Sequence, residues 1–167
     1  MSISAADVQK LRSDTGAGIM DAKRSLEEAG GNVGKAKTLL KERGLTKAAK
    51  KADRETAEGM VHSYIHGSGK IGVLLELLCE TDFVAKNDDF RALAQEVAMQ
   101  IAAGDPRDIR DLLAQPYIKD EKQTVEQVLQ ASIAKLGENI KVTRFTRYAL
   151  GAAGGATEDD GKTDADG

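Results

Sequence analysis

His62, His66 and Cys79 are all the imidazole and thiol groups in this 167-residue chain. His62 and His66 would share one face of an extended segment. With a single distant cysteine they make a poor metal-ligand set, so the expectation is two structural histidines and no metal site. A lone cysteine closes no internal disulfide, which excludes a disulfide-stapled secreted domain, and within an apolar run Cys79 packs as a small apolar residue. Gly16-x-Gly18 is followed by Asp21 where a dinucleotide fingerprint needs a third glycine, and it lies between helices rather than after a strand. Gly69-Lys70 is followed by Ile71, and Tyr64 stands where a phosphate loop needs its first glycine. Neither a Ser/His/Asp nor a Cys/His constellation is visible. Covalent chemistry therefore has no support; the expectation is a binding protein without catalytic residues or cofactor.

The segment that does draw notice is CETDFVAKND, residues 79–88. It joins an apolar run to a capped helix and places Phe83 and Val84 among Thr81, Asp82, Lys86, Asn87 and Asp88. Pattern alone leaves two readings. Phe83 either tucks under the following helix, or it stands out as an aromatic anchor beside an acid, of the kind that concentrates binding energy in a partner's pocket.

The elements that hold this segment can be read from caps and periodicity. Ser4 with Asp7 fits a capping box, with Ile3 and Val8 at staple spacing, and the glycines at 16 and 18 end that helix. Ile19, Ala22, Leu26 and Ala29 stripe a second helix, stopped by Gly30-Gly31. Asn32 caps a third, bearing Val33, Ala36, Leu39 and Leu40 and predicted to close at Gly44. Residues 1–45 thus form a three-helix module with a very small core. Residues 46–57 form a basic, alanine-rich linker; counted from Lys35 to Arg54, the stripe holds eight bases and two acids.

After Gly59 the period becomes extended. Residues 60–66 and 70–80 flank Gly67-Ser68-Gly69 as a β-hairpin. The second run is almost continuously apolar, which predicts a central strand covered on both faces. Asn87 caps a helix striped by Phe90, Leu93, Ala94, Val97 and Ile101 that ends at Gly104-Asp105-Pro106. A short helix follows over 109–113, and Thr124 with Gln127 caps another. Residues 138–150 are extended, with a parity shift between Val142 and Phe145 that a bulge would produce. The predicted class is α+β: residues 58–150 pack helices on a small three-stranded, mostly antiparallel sheet.

The net charge is −3, yet residues 157–167 carry five acids and one base, leaving the rest at about +1. Bulk charge thus argues against a dedicated nucleic-acid binder. The glycine-, alanine- and acid-rich residues 151–167 are expected to be disordered. No apolar run reaches membrane-spanning length. The opening MSISAADVQK has neither a signal-peptide core nor a transit-peptide pattern, so a cytoplasmic chain is expected.

Four segments, in order and spacing, resemble the bacterial translation elongation factor Ts family: LRSDTGAGIMDAKRSLEEAGGN (11–32), KAAKKADR (47–54), CETDFVAKND (79–88) and KLGENIKVTR (135–144). The resemblance spans residues 1–150. It implies a guanine-nucleotide exchange factor for the GTPase elongation factor Tu, with an N-terminal ubiquitin-associated-like module. It also implies partner-binding roles for Thr81, Asp82, Phe83 and Val84 near the GTPase's magnesium and phosphate site. By the same resemblance Ile19, Met20 and Lys23 contact the nucleotide-binding domain, and Leu136 and Gly137 form a further contact. Read from the residues alone, Ile19 fits the apolar stripe and Lys23 a solvated surface equally well. Longer family members have a second half of the core. A homodimer is therefore expected here, with strand 138–150 as the candidate pairing edge. Direct nucleic-acid binding and membrane association are not expected. The alternatives are an RNA- or ribosome-binding module using the stripe Lys35–Arg54, and a peptide adaptor built on the three-helix module.

Overall fold

The computed structural model describes residues 3–152. Three helices come first: α1 (Ala5–Thr15), α2 (Ile19–Glu28) and α3 (Val33–Ala49). The Ser4–Asp7 capping box is present, and Gly16 ends α1 in the left-handed conformation. Asn32 caps α3 through its side chain, which accepts from the Lys35 N–H. Leu11, Ala22, Leu26 and Ala36 form a small buried core, with Ile3, Val8, Ala29, Val33 and Leu40 packed against it. The third helix does not close at Gly44. It runs five residues further and carries the start of the basic segment with it, because Ala48 is buried in the second, larger core. Gly44 lies against α7 (Val125–Leu136): a Cβ there would sit 3.5 Å from that of Ala134. The glycine thus serves close helix packing rather than termination.

The larger core lies beneath a three-stranded antiparallel sheet in the order β1 (Glu58–His66), β2 (Ile71–Cys79), β5 (Lys141–Ala149). On β2, Val73, Leu75, Leu77 and Cys79 point inward and are buried with Phe90, Leu93, Val97 and Ile101 of α5 (Asp88–Gly104) and Leu129 and Ile133 of α7. The central placement of β2 agrees with the sequence, but its cover does not. Helices pack one face only, and Leu74 on the other is exposed together with Val61, Ile65 and Tyr148. β5 begins at Lys141 rather than 138, and the register shift opposite Glu76 and Leu77 places the bulge at Thr143, within the span the parity shift indicated.

Three elements went unread in the sequence. α4 (Asp82–Ala85) is a single helical turn in the connection after β2. A small hairpin, β3 (Pro116–Tyr117) with β4 (Asp120–Thr124), follows α6 (Ile109–Ala114). The hairpin is organised by buried Gln100, whose amide donates to the Gln115 side chain and the Pro116 carbonyl and accepts from the Ile118 N–H at 2.9 Å. The acidic tail expected to be disordered falls almost wholly outside the described residues.

Candidate functional site

β2 ends at Cys79 and the chain turns outward through Glu80 and Thr81. The Thr81 side chain caps α4 by accepting the Val84 N–H, and this one-turn helix then fixes which way each side chain faces. Val84 goes in: it is only 5% exposed and belongs to the core. Phe83 goes out, 80% exposed, on a backbone held by the cap behind it and by the Asn87-capped α5 ahead of it. The two open readings for Phe83 are thereby decided for the projecting aromatic. Val84, expected to meet a partner, instead anchors the turn to the core, because a one-turn helix presents these neighbours in different directions. Asp82 is exposed and 2.7 Å from Lys86. The Lys86 hydrogen bond, and then its charge, hold the Asp82 carboxyl below its ordinary range, so it is anionic at neutral pH.

At the start of α2, Met20 is 74% and Ile19 53% exposed. The helical stripe therefore buries only Ala22 and Leu26 and leaves Ile19 outside, beside Met20. Lys23 is exposed and lies 3.9 Å from Glu27 along the same helix. Leu136 is half-buried against the core, and Gly137 is exposed, closing α7 in the left-handed conformation.

These three segments meet around the C-terminal end of α7. Lys135 lays its aliphatic chain beside Gly16, at the loop leading into α2, and pairs with Asp89 of α5 at 2.9 Å. The Gly137 carbonyl accepts from Lys51 at 2.8 Å. Glu138 reaches the turn before α4: its carboxylate accepts from the backbone N–H groups of Glu80 and Thr81 at 3.1 and 3.0 Å and from the Thr81 hydroxyl at 2.6 Å. The buried Asn139 donates its side-chain amide to the carbonyls of Ala52 and Arg54, and its backbone N–H to Glu80 at 2.7 Å. Sequence reasoning named Leu136 and Gly137 but missed Glu138 and Asn139. Each acts on residues far away in the chain, and no local pattern signals that.

The arrangement projects rather than encloses. A cleft of about 210 Å³ does lie between α3 and α7, but it is lined by Gly16, Gly18, Lys37, Lys41, Gln127 and Ala131 among others, and Phe83 is not at its wall. Among the described residues no three His, Cys, Asp or Glu side chains cluster to hold a metal, and no helix is long and apolar enough to cross a membrane. His62 bonds Gln95 at 2.7 Å, and His66 bonds the Tyr64 hydroxyl at 2.8 Å. Cys79 is buried, and that burial raises its thiol pKa to about 11, which makes it a poor nucleophile. Much of the basic stripe is spent internally. Lys37, Arg43, Lys47 and Arg54 pair with Asp14, Glu28, Asp21 and Glu80, and Lys51 donates to a carbonyl. Lys35, Lys41, Lys50 and Lys51, the other half of the stripe's bases, have no acidic partner among the described residues.

Comparison with known proteins gives a consistent picture. The family model described as elongation factor TS matches residues 80–157, which include α4 and the Glu138 junction. The elongation factor Ts of Desulforamulus reducens is 44% identical over 203 aligned residues, covering 95% of this chain and 94% of that protein. That of Coprothermobacter proteolyticus is 42% identical over 196 residues, covering 90% of this chain and all of that protein. A Nostoc relative with the same description is 50% identical over 148 residues, but only 47% of its length is covered. The 203-residue span exceeds the 167 residues here, so the Desulforamulus protein carries residues within it that have no counterpart in this chain.

Proposed function

The chain belongs to the elongation factor Ts family of translation elongation factors, and from that premise we propose that it is the guanine-nucleotide exchange factor of the GTPase elongation factor Tu, acting in the cytoplasm. The observation that carries this reading is Phe83, a large apolar side chain held almost fully in water on a doubly capped turn. An aromatic left exposed on a rigid support loses little conformational entropy when it enters a pocket, so its burial there is available as binding energy. Phe83 enters between switch-region helices of the GTPase, and the anionic Asp82 beside it adds like charge near the bound diphosphate. Displacing the magnesium ligands removes a large local charge interaction, and GDP leaves. Ile19, Met20 and Lys23 of the N-terminal module (residues 1–45) hold the nucleotide-binding domain meanwhile, and Leu136 and Gly137 add a third contact.

By linkage, a factor that binds the nucleotide-free GTPase more tightly than the GDP form weakens GDP binding by the same factor as GDP weakens its own. GTP then rebinds and releases it. No residue of this chain makes or breaks a covalent bond, so it is not an enzyme in the strict sense and needs no cofactor. The test is release of fluorescent GDP from purified elongation factor Tu. Saturating factor is expected to accelerate it by roughly tenfold or more, a barrier reduction of at least about 1.4 kcal/mol. No acceleration at micromolar factor would overturn the reading.

We also propose that two copies associate through the uncovered face of the sheet. β5 is an edge strand, as the sequence suggested. The exposed Val61, Ile65, Leu74 and Tyr148 move the expected contact from that edge to the face beside it. A two-fold axis would bury this patch against itself, and contiguous exposed apolar surface marks such interfaces. Sedimentation velocity is expected to show a dimer that Leu74→Glu converts to monomer. Because Cys79 is buried, reductant should change neither result. A wild-type monomer with full exchange activity would refute the dimer.

A further inference from the structure

Glu138 makes no use of its charge on the surface. All three of its hydrogen bonds run to the two residues that launch α4: the backbone N–H groups of Glu80 and Thr81 on one oxygen, the Thr81 hydroxyl on the other. β2 pairs with its neighbours only as far as Cys79, so these two N–H groups lie beyond the ladder and Glu138 is their partner. The hydroxyl that donates to Glu138 at 2.6 Å also accepts the Val84 N–H, so the carboxylate orients the very group that caps the helix. Glu138 is itself fixed. Gly137 before it is tied to Lys51, and Asn139 after it is buried, bonded to Glu80 and to the carbonyls of Ala52 and Arg54. The turn that carries Phe83 is thus aimed by one side chain across a sequence separation of 57 residues.

Resting on the exchange reading above, we infer that Glu138 is the positioning residue for Phe83: through Thr81 it sets the direction in which the aromatic is presented, without meeting the GTPase itself. A carboxylate suits this because it accepts from several donors at once, and charge-assisted bonds to backbone N–H groups are short and directional.

The test is a double-mutant cycle on the full chain, read by GDP release from elongation factor Tu and by amide hydrogen exchange. Glu138→Ala is expected to lower the maximal release rate by about fivefold or more while leaving that rate nearly unchanged, within about twofold, when Phe83 is already alanine, the non-additivity of two residues acting as one unit. Glu138→Gln keeps an oxygen for the two backbone N–H groups and should restore most of the rate. The Val84 and Ala85 amides should exchange about tenfold faster or more in Glu138→Ala while those of Leu75 and Leu77 in β2 do not. Equal losses in both backgrounds, or unaltered Val84 and Ala85 exchange, would overturn the assignment. If Glu138→Ala fails to fold, Thr81→Val removes the same hydroxyl and takes its place in the cycle. If the wild type fails to accelerate release, the exchange reading falls, and hydrogen exchange still decides whether Glu138 holds the turn.

Discussion

Phe83→Ala is expected to cut the acceleration of GDP release by about tenfold or more, equivalent to about 1.4 kcal/mol or above of transition-state stabilisation. The folded protein itself should scarcely notice. Phe83 is 80% exposed and contributes nothing to either core, so its truncation should change stability by no more than about 0.5 kcal/mol. A wedge is valued only when inserted, and the signature of one is loss of activity at constant melting temperature. Stopped-flow release of a fluorescent GDP, at several factor concentrations, separates a lowered maximal rate from weakened binding. A variant as active as the wild type would move the mechanism to the contacts at Met20 or Gly137.

The opposite signature is expected at Gly59. Its φ of 150° lies where side-chain-bearing residues are rarely found, and a Cβ there would stand 2.1 Å from the Leu77 carbonyl oxygen and 2.8 Å from the Leu78 Cα. Both clashing atoms are backbone of the central strand, so no rotamer change relieves them. Gly59→Ala therefore forces β1 away from β2 just where the sheet approaches α4. The cost is roughly 3 kcal/mol or more, counting backbone strain and overpacking together. Against a total stability of about 5–15 kcal/mol this is a large share. Thermal unfolding followed by circular dichroism should show a fall of about 10 °C. An unchanged melting temperature would mean that the strands can separate at this point without penalty.

Much of the fold was legible because its signals are local. Ser4–Asp7, Asn32, Asn87 and Thr124–Gln127 each place a helix start within a few residues, and all four caps form. The Gly67–Gly69 turn and the parity shift after Val142 gave the sheet its hairpin and its bulge. What stayed hidden depends on partners elsewhere in the chain. Gly44 looks like a stop signal until Ala134 is set against it. The short, polar β4 has no alternation to read and is held by pairing with β3, which Gln100 anchors at Pro116, while Leu74 faces water because nothing in the described fold lies over that side of the sheet. At the site, the unusual residue types of the turn drew notice by themselves. The direction of Phe83 did not, since it is set from Glu138, and Ile19 took the exposed end of a stripe that buries only Ala22 and Leu26.

The order of the strands has a kinetic consequence. α1 to α3 bury their small core through contacts close in sequence, which form fast and can form as soon as those residues leave the ribosome. The central strand β2 must wait for β5, the last element of the described fold, and Glu138 with Asn139 lies immediately before it. Until residues 138–149 are synthesised, one edge of β2 has no strand to pair with and the turn bearing Phe83 lacks its hydrogen bonds to Glu138. During its own synthesis, then, the chain completes the helical module first and the hydrogen bonds to the Phe83 turn last, so a truncated product ending before Glu138 would carry Phe83 on a turn without them.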